Sequence, residues 1–294
     1  MGKIKDFFAK RAHLKKEQAE IRAQKDYEKR RSLLREGKLK KRGVIGLCLG
    51  GGGARGFAHI GVLKAFEEYG VKYDLCVGTS AGALVGALAC CGMKAEDIYA
   101  YGEKLSMRDI RSKNLLISAS TDGIKKIITD NVGNRNIEDL PTKFCAVATD
   151  LVSAREILLT EGELGCAVSA SCCVPQFFKP VVMGELHLVD GGLLNNIPAD
   201  VCRMLGADYV ITVDVNPTRY VGTDELGSIA VIKASFSIMM ANSSYKGYLN
   251  SDVMIKVDTD KFKSYSKDGF DEMYALGYEA GKQAIPEILE KIYF

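Results

Sequence analysis

Residues 78–82, with the sequence Gly-Thr-Ser-Ala-Gly, constrain this chain more than any other stretch. An apolar run that starts at Val71 leads into them, and small apolar residues follow. This G-x-S-x-G pattern is typical of a nucleophile elbow, a sharp strand-to-helix turn that exposes a serine hydroxyl. The elbow residue is strained, so the positions two before and two after it, Gly78 and Gly82, must lack bulky side chains. We therefore predict a strand, a tight turn at Ser80 and a helix.

A second glycine-rich stretch, residues 50–56, lies between an apolar segment and a helical pattern that ends at Gly70. Its spacing Gly51-x-Gly53-x-x-Gly56 formally fits a dinucleotide-binding fingerprint, which would suggest a nucleotide-binding oxidoreductase. That interpretation requires an acidic residue at the end of the next strand, where this chain has the elbow instead. Alternatively, consecutive glycine N–H groups at a helix start can form an oxyanion hole. Adjacent parallel strands would place the loop beside the elbow, which favours the second interpretation.

A serine nucleophile needs a base, and this chain has only three histidines, His13, His59 and His187. The triad order of α/β-hydrolases is serine, acid, histidine, and no histidine follows His187. Strand alternation places His187 on the face opposite Asp190. His59 could act only if its helix faced the elbow, and a hydrogen-bonded helix histidine is the simpler interpretation. The usual triad is therefore not expected.

A carboxylate can serve as the base directly, and Asp190 is the best candidate. It ends an apolar strand, and Gly191 and Gly192 follow it, which allows close approach of the backbone. A partly desolvated site would raise its proton affinity towards that of a base. The competing interpretation is an ordinary Asp-Gly turn. Asp150 and Asp214 also end strands and are weaker candidates.

Composition limits the class of protein. The chain of 294 residues suits one large domain or two small ones. It contains no uninterrupted run of 18 apolar residues, so no transmembrane helix is predicted. No secretory signal is seen. Nine cysteines occur without zinc-like spacing, so we expect reduced thiols, a cytoplasmic protein and no metal site.

The basic character belongs to residues 1–42, which hold 16 Lys and Arg against 6 Asp and Glu, whereas residues 43–294 have a net charge of −7. The composition of 1–42 favours a solvated helix or a disordered arm. The alternative is contact with an anionic membrane, in which Ile4, Phe7 and Phe8 insert among lipids. No nucleic acid is expected, because no recognised nucleic-acid-binding fold accompanies the charge.

Strands and helices alternate along residues 43–294, which predicts one α/β domain. Residues 93–141 are more polar and predict a helical cap or lid insertion rather than a core layer. The apolar loop 174–180 and this insertion are candidates for binding and gating an acyl chain. The apolar residues considered for that pocket, with ordinary core as the equal alternative, are Leu115, Leu116, Ile117, Phe177 and Phe178.

Three motifs together, residues 51–56 (Gly-Gly-Gly-Ala-Arg-Gly), 78–82 and 190–192 (Asp-Gly-Gly), resemble the patatin-like phospholipase family in order and spacing. The segment Asn-Asn-Ile-Pro at 195–198 also resembles that family. The resemblance covers about residues 43–216 well and leaves residues 1–42 outside.

The resemblance implies a three-layer α/β/α fold with a mostly parallel sheet and a Ser–Asp dyad acting on lipid esters without a metal or organic cofactor. By position, Ser80 is the nucleophile and Asp190 the base. The implied oxyanion hole involves Gly51, Gly52, Gly53 and Arg55, and the remaining motif glycines are Gly56, Gly78, Gly82, Gly191 and Gly192. The expected partner is a lipid or phospholipid, at the inner face of the membrane or in the cytoplasm. A third hypothesis is a non-catalytic module that residues 1–42 recruit to membranes.

Overall fold

The computed structural model of the chain describes residues 2–104, 120–175, 177–216, 228–262 and 269–294. Within these ranges the α-helices are α1 (Gly2–Arg35), α2 (Phe57–Tyr69), α3 (Ala81–Cys90), α4 (Ala95–Lys104), α5 (Asp122–Val132), α6 (Leu164–Ser171), α7 (Ala199–Met204), α8 (Ser228–Ser243), α9 (Tyr245–Asn250) and α10 (Phe270–Ile292). The strands are β1 (Ile45–Leu49), β2 (Leu75–Thr79), β3 (Lys143–Asp150), β4 (Arg155–Leu159), β5 (Val181–Met183), β6 (Leu186–Asp190), β7 (Tyr209–Asp214) and β8 (Val253–Lys256).

The strands form one mixed, mostly parallel sheet. The hydrogen-bonded path runs β5-β6-β3-β2-β1-β7-β8, and β4 also pairs with β3. Pairing is parallel from β3 through β2, β1 and β7 to β8, whereas β4, β5 and β6 pair antiparallel. Only β5 was not anticipated from the sequence, because three residues give too little periodicity to detect.

Side-chain alternation along the buried strands separates two apolar layers. In β1, Leu47 and Leu49 join the larger core with α2, α3 and α10, whereas Cys48 points to a smaller core that contains Val201 of α7. Because successive side chains of a strand point to opposite faces, the sheet is covered by helices on both sides. The predicted three-layer α/β/α fold is confirmed.

Strand β3 positions the ends of two other strands. β4 occupies one edge of β3 along 146–150. The opposite edge is shared, with β2 pairing as far as Thr79 opposite Val147 and β6 ending with Asp190 opposite Ala148. Since β6 runs against β2, the two strands meet end to end at one point of β3. Residues 80 and 190 therefore leave the sheet beside one another.

The helix favoured for residues 1–42 is present as α1, and its last turns pack on the domain. Leu34 is only 1% exposed and belongs to the larger core. Arg30 donates through Nη2 to the carbonyl oxygen of Leu289 at 2.7 Å, and Arg35 donates through Nε to that of Glu68 at 2.9 Å. The expectation of a solvated helix or a disordered arm is therefore wrong at Leu34.

The described part of residues 93–141 consists of α4, α5 and their connections. These helices bury Ile98, Ile124 and Ile128 in the larger core, so this part is packed as a layer of the core. Leu115, Leu116 and Ile117 lie outside the described residues. A gating role of this segment stays a prediction.

All nine cysteines are free, and seven of them are buried. In the ranges that the structure describes, no helix is both long and apolar enough to span a bilayer.

Candidate active site

Ser80 lies at the turn between β2 and α3, with φ +53° and ψ −123°. This left-handed backbone conformation is uncommon for a residue with a side chain and marks a strained position. A methyl group on Gly78 would lie 2.5 Å from the backbone nitrogen of Ala83, and one on Gly82 would overlap the carbonyl oxygen of Leu49. The nucleophile-elbow conformation predicted from these two glycines is confirmed.

Ser171, the last residue of α6, stabilises the elbow through hydrogen bonds. Its hydroxyl accepts a hydrogen bond from the Ser80 N–H at 2.9 Å and donates one to the carbonyl oxygen of Val147 at 2.6 Å. The backbone of the strained residue is thereby tied to the edge of β3. Sequence reasoning missed Ser171, which appeared only as part of a small-residue helix.

Asp190 is 1% exposed at the end of β6. Its Oδ1 accepts a hydrogen bond from the Gly192 N–H at 2.8 Å. Among the described residues, none donates a hydrogen bond of regular geometry to Oδ2. Burial raises the pKa of this carboxyl from 3.8 to about 6, against the lowering effects of the nearby Ser80 side chain and of the Gly192 N–H. Asp190 thus combines an open oxygen with the proton affinity of a base for neutral pH.

Neither of the two histidines near the sheet, His59 and His187, takes the place of Asp190 as the candidate base. His59 is buried, and its Nε2 lies 2.8 Å from the carbonyl oxygen of Gly50. Burial lowers the pKa of this imidazole to about 4, so the ring is neutral at physiological pH. The side chain of His187 is exposed, with Nδ1 3.3 Å from the carbonyl oxygen of Glu185. The expectation that His59 is a hydrogen-bonded helix histidine is confirmed.

The two other strand-end aspartates serve the fold. Asp150 accepts hydrogen bonds from the Ser153 hydroxyl at 2.6 Å and from the His187 N–H at 2.8 Å. These bonds lower the pKa of Asp150 to about 2. Asp214 accepts from the Tyr248 hydroxyl at 2.7 Å. Both carboxylates are engaged, which leaves Asp190 as the candidate base.

The glycine loop after β1 faces the elbow. A methyl group on Gly51 would lie 3.4 Å from the Cβ of Ser80. The Gly51 N–H is occupied, because it donates to the carbonyl oxygen of Asn196 at 3.0 Å. The N–H groups of Gly52 and Gly53 donate to no other group of the described residues. Gly51 therefore holds the loop in place, and the two following residues present the free donors.

Arg55 is fully buried below this loop. Its Nη2 donates to the carbonyl oxygen of Phe262 at 3.1 Å, and Nη1 donates to Oδ1 of Asn216. The guanidinium therefore braces the loop against later segments of the chain, and a contribution of Arg55 to the oxyanion hole stays a prediction. Gly56 lies where a methyl group would be 2.9 Å from the Cβ of Ala81, so the loop also packs closely on α3.

The turn that follows Asp190 connects the three motifs. A methyl group on Gly191 would overlap the carbonyl oxygen of Val147, and one on Gly192 would lie 2.6 Å from Cε of Met240. The carbonyl oxygen of Asn195 accepts from the Thr79 hydroxyl at 2.8 Å. Together with the Asn196 carbonyl bonded to the glycine loop, this segment fixes both the elbow and the loop.

An apolar cavity of about 190 Å³ opens at Ser80. Its described lining residues are Gly53, Ala54, Gly56, Phe57, Ile60, Ser80, Ala81, Leu84, Val85, Leu88, Ile98, Tyr101, Gly102, Ile124, Ile127, Cys172, Val174, Phe177, Phe178 and Phe270. Phe177 and Phe178, which the sequence left between pocket and core, therefore line the cavity. The wall contributed by α4 and α5 places the described part of residues 93–141 at this site.

Known proteins resemble this chain in sequence. Neuropathy target esterase sws of Drosophila melanogaster is 32% identical over 275 residues, which cover 81% of this chain and 19% of that protein. An uncharacterized NTE family protein of Mycobacterium tuberculosis is 40% identical over 178 residues, covering 59% of this chain and 30% of that protein. The chain thus spans less than a third of these relatives.

A fold likeness is found in the crystal structure of VipD from Legionella pneumophila, with a TM-score of 0.59 and 16% sequence identity. It covers 83% of this chain and 67% of VipD. The sequence pattern described as Patatin-like phospholipase matches residues 47–203, which contain the elbow, the glycine loop and the Asp-Gly-Gly turn. Because this match spans more than half of the 294 residues, the chain belongs to the patatin-like phospholipase family.

Proposed function

We propose that the protein is a lipid acyl hydrolase that cleaves carboxylic ester bonds of phospholipids or related lipids through a dyad of Ser80 and Asp190. Membership of the patatin-like phospholipase family supports a lipid ester hydrolase. The observation that carries the proposal is the position of Ser80. A strained serine lies between a buried carboxyl with an open oxygen and an apolar cavity.

In the first step, Asp190 is ionised at a pH above about 6 and accepts the proton of the Ser80 hydroxyl. The serine oxygen attacks the ester carbonyl carbon, and the carbonyl π electrons move to the oxygen, which becomes an oxyanion. The neutral His59 faces the Gly50 carbonyl and takes no part in this transfer.

The N–H groups of Gly52 and Gly53 stabilise the oxyanion in this mechanism. Among the described residues they donate to no other group, and they follow Gly51, whose N–H bond to the Asn196 carbonyl keeps the loop in position before the substrate arrives. Removing one preorganised donor of this kind costs on the order of 3 kcal/mol of transition-state stabilisation. The arrangement therefore stabilises the negative charge that develops on the carbonyl oxygen.

Collapse of the tetrahedral intermediate breaks the ester C–O bond, and protonated Asp190 gives its proton to the departing alcohol. Water then attacks the acyl-enzyme with Asp190 as base, and the same carboxyl returns the proton to Ser80. The products are a free fatty acid and the deacylated lipid. Every proton transfer uses Asp190, and no cofactor or metal ion is required.

The apolar cavity is the proposed site for the acyl chain. Its wall combines α3 with Phe177 and Phe178 and with Ile98 and Ile124 of the insertion. Burying a methylene group there contributes about 0.8 kcal/mol, so a chain of several carbons gains substantial affinity without polar contacts. We further propose a cytoplasmic, peripheral location at an anionic membrane surface, consistent with the basic residues of segment 1–42.

The test is hydrolysis of a short-chain nitrophenyl ester by the wild type, Ser80→Ala and Asp190→Asn. Both variants are expected to lose at least about a thousandfold in kcat, because the dyad acts as a unit. His187→Ala, which removes an exposed histidine, is the matched control and should keep wild-type activity. Full activity of either dyad variant would refute the assignment, and tight binding of NAD(P) or FAD would favour the oxidoreductase alternative.

A further inference from the structure

Helix α8 is rich in apolar residues, yet those of its apolar side chains that the structure describes lie outside the core. Its 16 residues include one charged residue, Lys233. None of the described apolar residues of α8 or α9 belongs to either core cluster or packs against one. A helix that is apolar all round is normally buried, either in a protein core or in lipid.

The outer face of α8 and α9 is an exposed apolar surface. On α8, Val231, Ile238 and Met239 are 45%, 58% and 47% exposed. Spacings of seven and eight residues place these three side chains on one face of the helix. On α9, Tyr245 and Leu249 are 65% and 69% exposed. Concentration of large apolar side chains in one surface is typical of an interaction site.

The inner face of α8 contacts the site. The hydroxyl of Ser243 donates to the carbonyl oxygen of Gly192 at 2.7 Å. The Met240 side chain reaches both Gly192 and Gly51, since Cβ atoms there would lie 2.6 and 3.4 Å from its Cε. The outer face and the Asp190 turn are therefore separated by the thickness of one helix, about 10 Å.

The composition of this segment indicates its partner. Residues 228–250 contain two lysines and no aspartate or glutamate, although residues 43–294 as a whole have a net charge of −7. Tyr245 and Tyr248 accompany the lysines, of which Lys246 also pairs with Glu156 at 3.4 Å and Asp200 at 3.8 Å. Exposed aliphatic side chains beside tyrosine and lysine suit the interface between water and acyl chains.

We propose that the outer face of α8 and α9 docks on a lipid bilayer that contains anionic lipids and so presents the site to its substrate. The choice of this partner rests on the proposed lipid-hydrolase function. Val231, Ile238, Met239 and Leu249 enter the acyl boundary, and the tyrosines lie at headgroup level. This surface brings the elbow to the membrane.

A fluorescence experiment tests the contact directly, since the chain contains no tryptophan. Met239→Trp, in a Ser80→Ala background that removes turnover, should shift its emission to shorter wavelength with mixed phosphatidylcholine–phosphatidylglycerol vesicles. Val44→Trp is the matched control, because Val44 is 39% exposed and precedes β1, at the sheet edge opposite the elbow. Ile21→Trp reports on α1. A shift at residue 21 without one at residue 239 would overturn the proposal.

A second experiment separates docking from catalysis. The double variant Ile238→Ser, Met239→Ser should bind the same vesicles at least about tenfold more weakly, from the lost apolar contact. Its hydrolysis of a soluble nitrophenyl ester should remain at the wild-type level, whereas hydrolysis of vesicle phospholipid should fall with binding. Unchanged vesicle binding, or a dimer in solution that the double variant dissolves, would overturn the proposal. Inactivity of the wild type towards every ester would instead refute the proposed function.

Discussion

Replacing Asp190 by asparagine is expected to stabilise the folded protein at neutral pH while abolishing activity. Asparagine has nearly the same shape as aspartate and can still accept the Gly192 N–H bond through Oδ1. It removes a buried charge whose pKa is raised from 3.8 to about 6 by burial. The ionised carboxyl costs the folded state about 3 kcal/mol relative to the unfolded chain, since each pKa unit corresponds to 1.36 kcal/mol.

The pH dependence of this stability difference follows from proton binding to Asp190. The folded state binds the Asp190 proton more tightly, so the stability that the protonated carboxyl retains below about pH 4 is lost progressively as the pH rises to about 6. The gain in unfolding free energy of Asp190→Asn should therefore be small at pH 4 and increase to about 3 kcal/mol at pH 8, with most of the increase between pH 4 and pH 6. Urea unfolding of both proteins across this range, followed by circular dichroism, measures the difference.

Asp150→Asn is the matched control with the opposite sign. Hydrogen bonds from Ser153 and His187 lower the pKa of Asp150 to about 2, so its ionised form stabilises the fold. This variant should be less stable than the wild type at neutral pH, with the difference disappearing as the pH falls from about 4 to about 2. If Asp190→Asn were destabilising, or its effect did not change between pH 5 and 8, the raised pKa of Asp190 would be refuted.

Three further outcomes are expected. The kcat/KM for a nitrophenyl ester should decrease about tenfold per pH unit below pH 6 and level off above it, because Asp190 must be ionised; a flat profile would exclude this base. Ser171→Ala should lower kcat about tenfold to hundredfold with little change in KM, since the Ser80 N–H loses its acceptor, whereas Ser169→Ala on the same helix should leave kcat intact. Gly82→Ala should destabilise the fold by about 3 kcal/mol in urea unfolding, through overlap with the Leu49 carbonyl; a neutral effect would show that the elbow can relax.

The sequence predicted those parts of the site that depend on local geometry. The strained turn at Ser80 requires glycines at positions 78 and 82, all within five residues. The glycine loop lies between a strand and a helix that are adjacent in sequence. The order of strands and helices could also be predicted, because it too depends on local sequence patterns. Asp190 was the preferred base because it ends an apolar strand and two glycines follow it, and its role as the base stays a proposal.

The remaining features depend on distant pairing. Asp190 was expected at the carboxyl edge of a parallel sheet, but β6 is antiparallel to β3 and reaches the site from the other direction. Ser171 supports a residue 91 positions earlier in the chain. The carbonyl that accepts the hydrogen bond from the Gly51 N–H belongs to Asn196, and no local sequence pattern predicts such a bond. Burial of Leu34 likewise requires the neighbours that folding supplies.

The point on β3 where β2 and β6 meet fixes how far Ser80 lies from Asp190. The two ends lie opposite Val147 and Ala148, so one residue of β3, about 3.3 Å, sets the spacing between the strands that carry Ser80 and Asp190. That spacing is a property of the sheet and does not depend on the loops around it. A single residue inserted in the middle of β3 would therefore separate Ser80 from Asp190, the two groups of the proposed dyad.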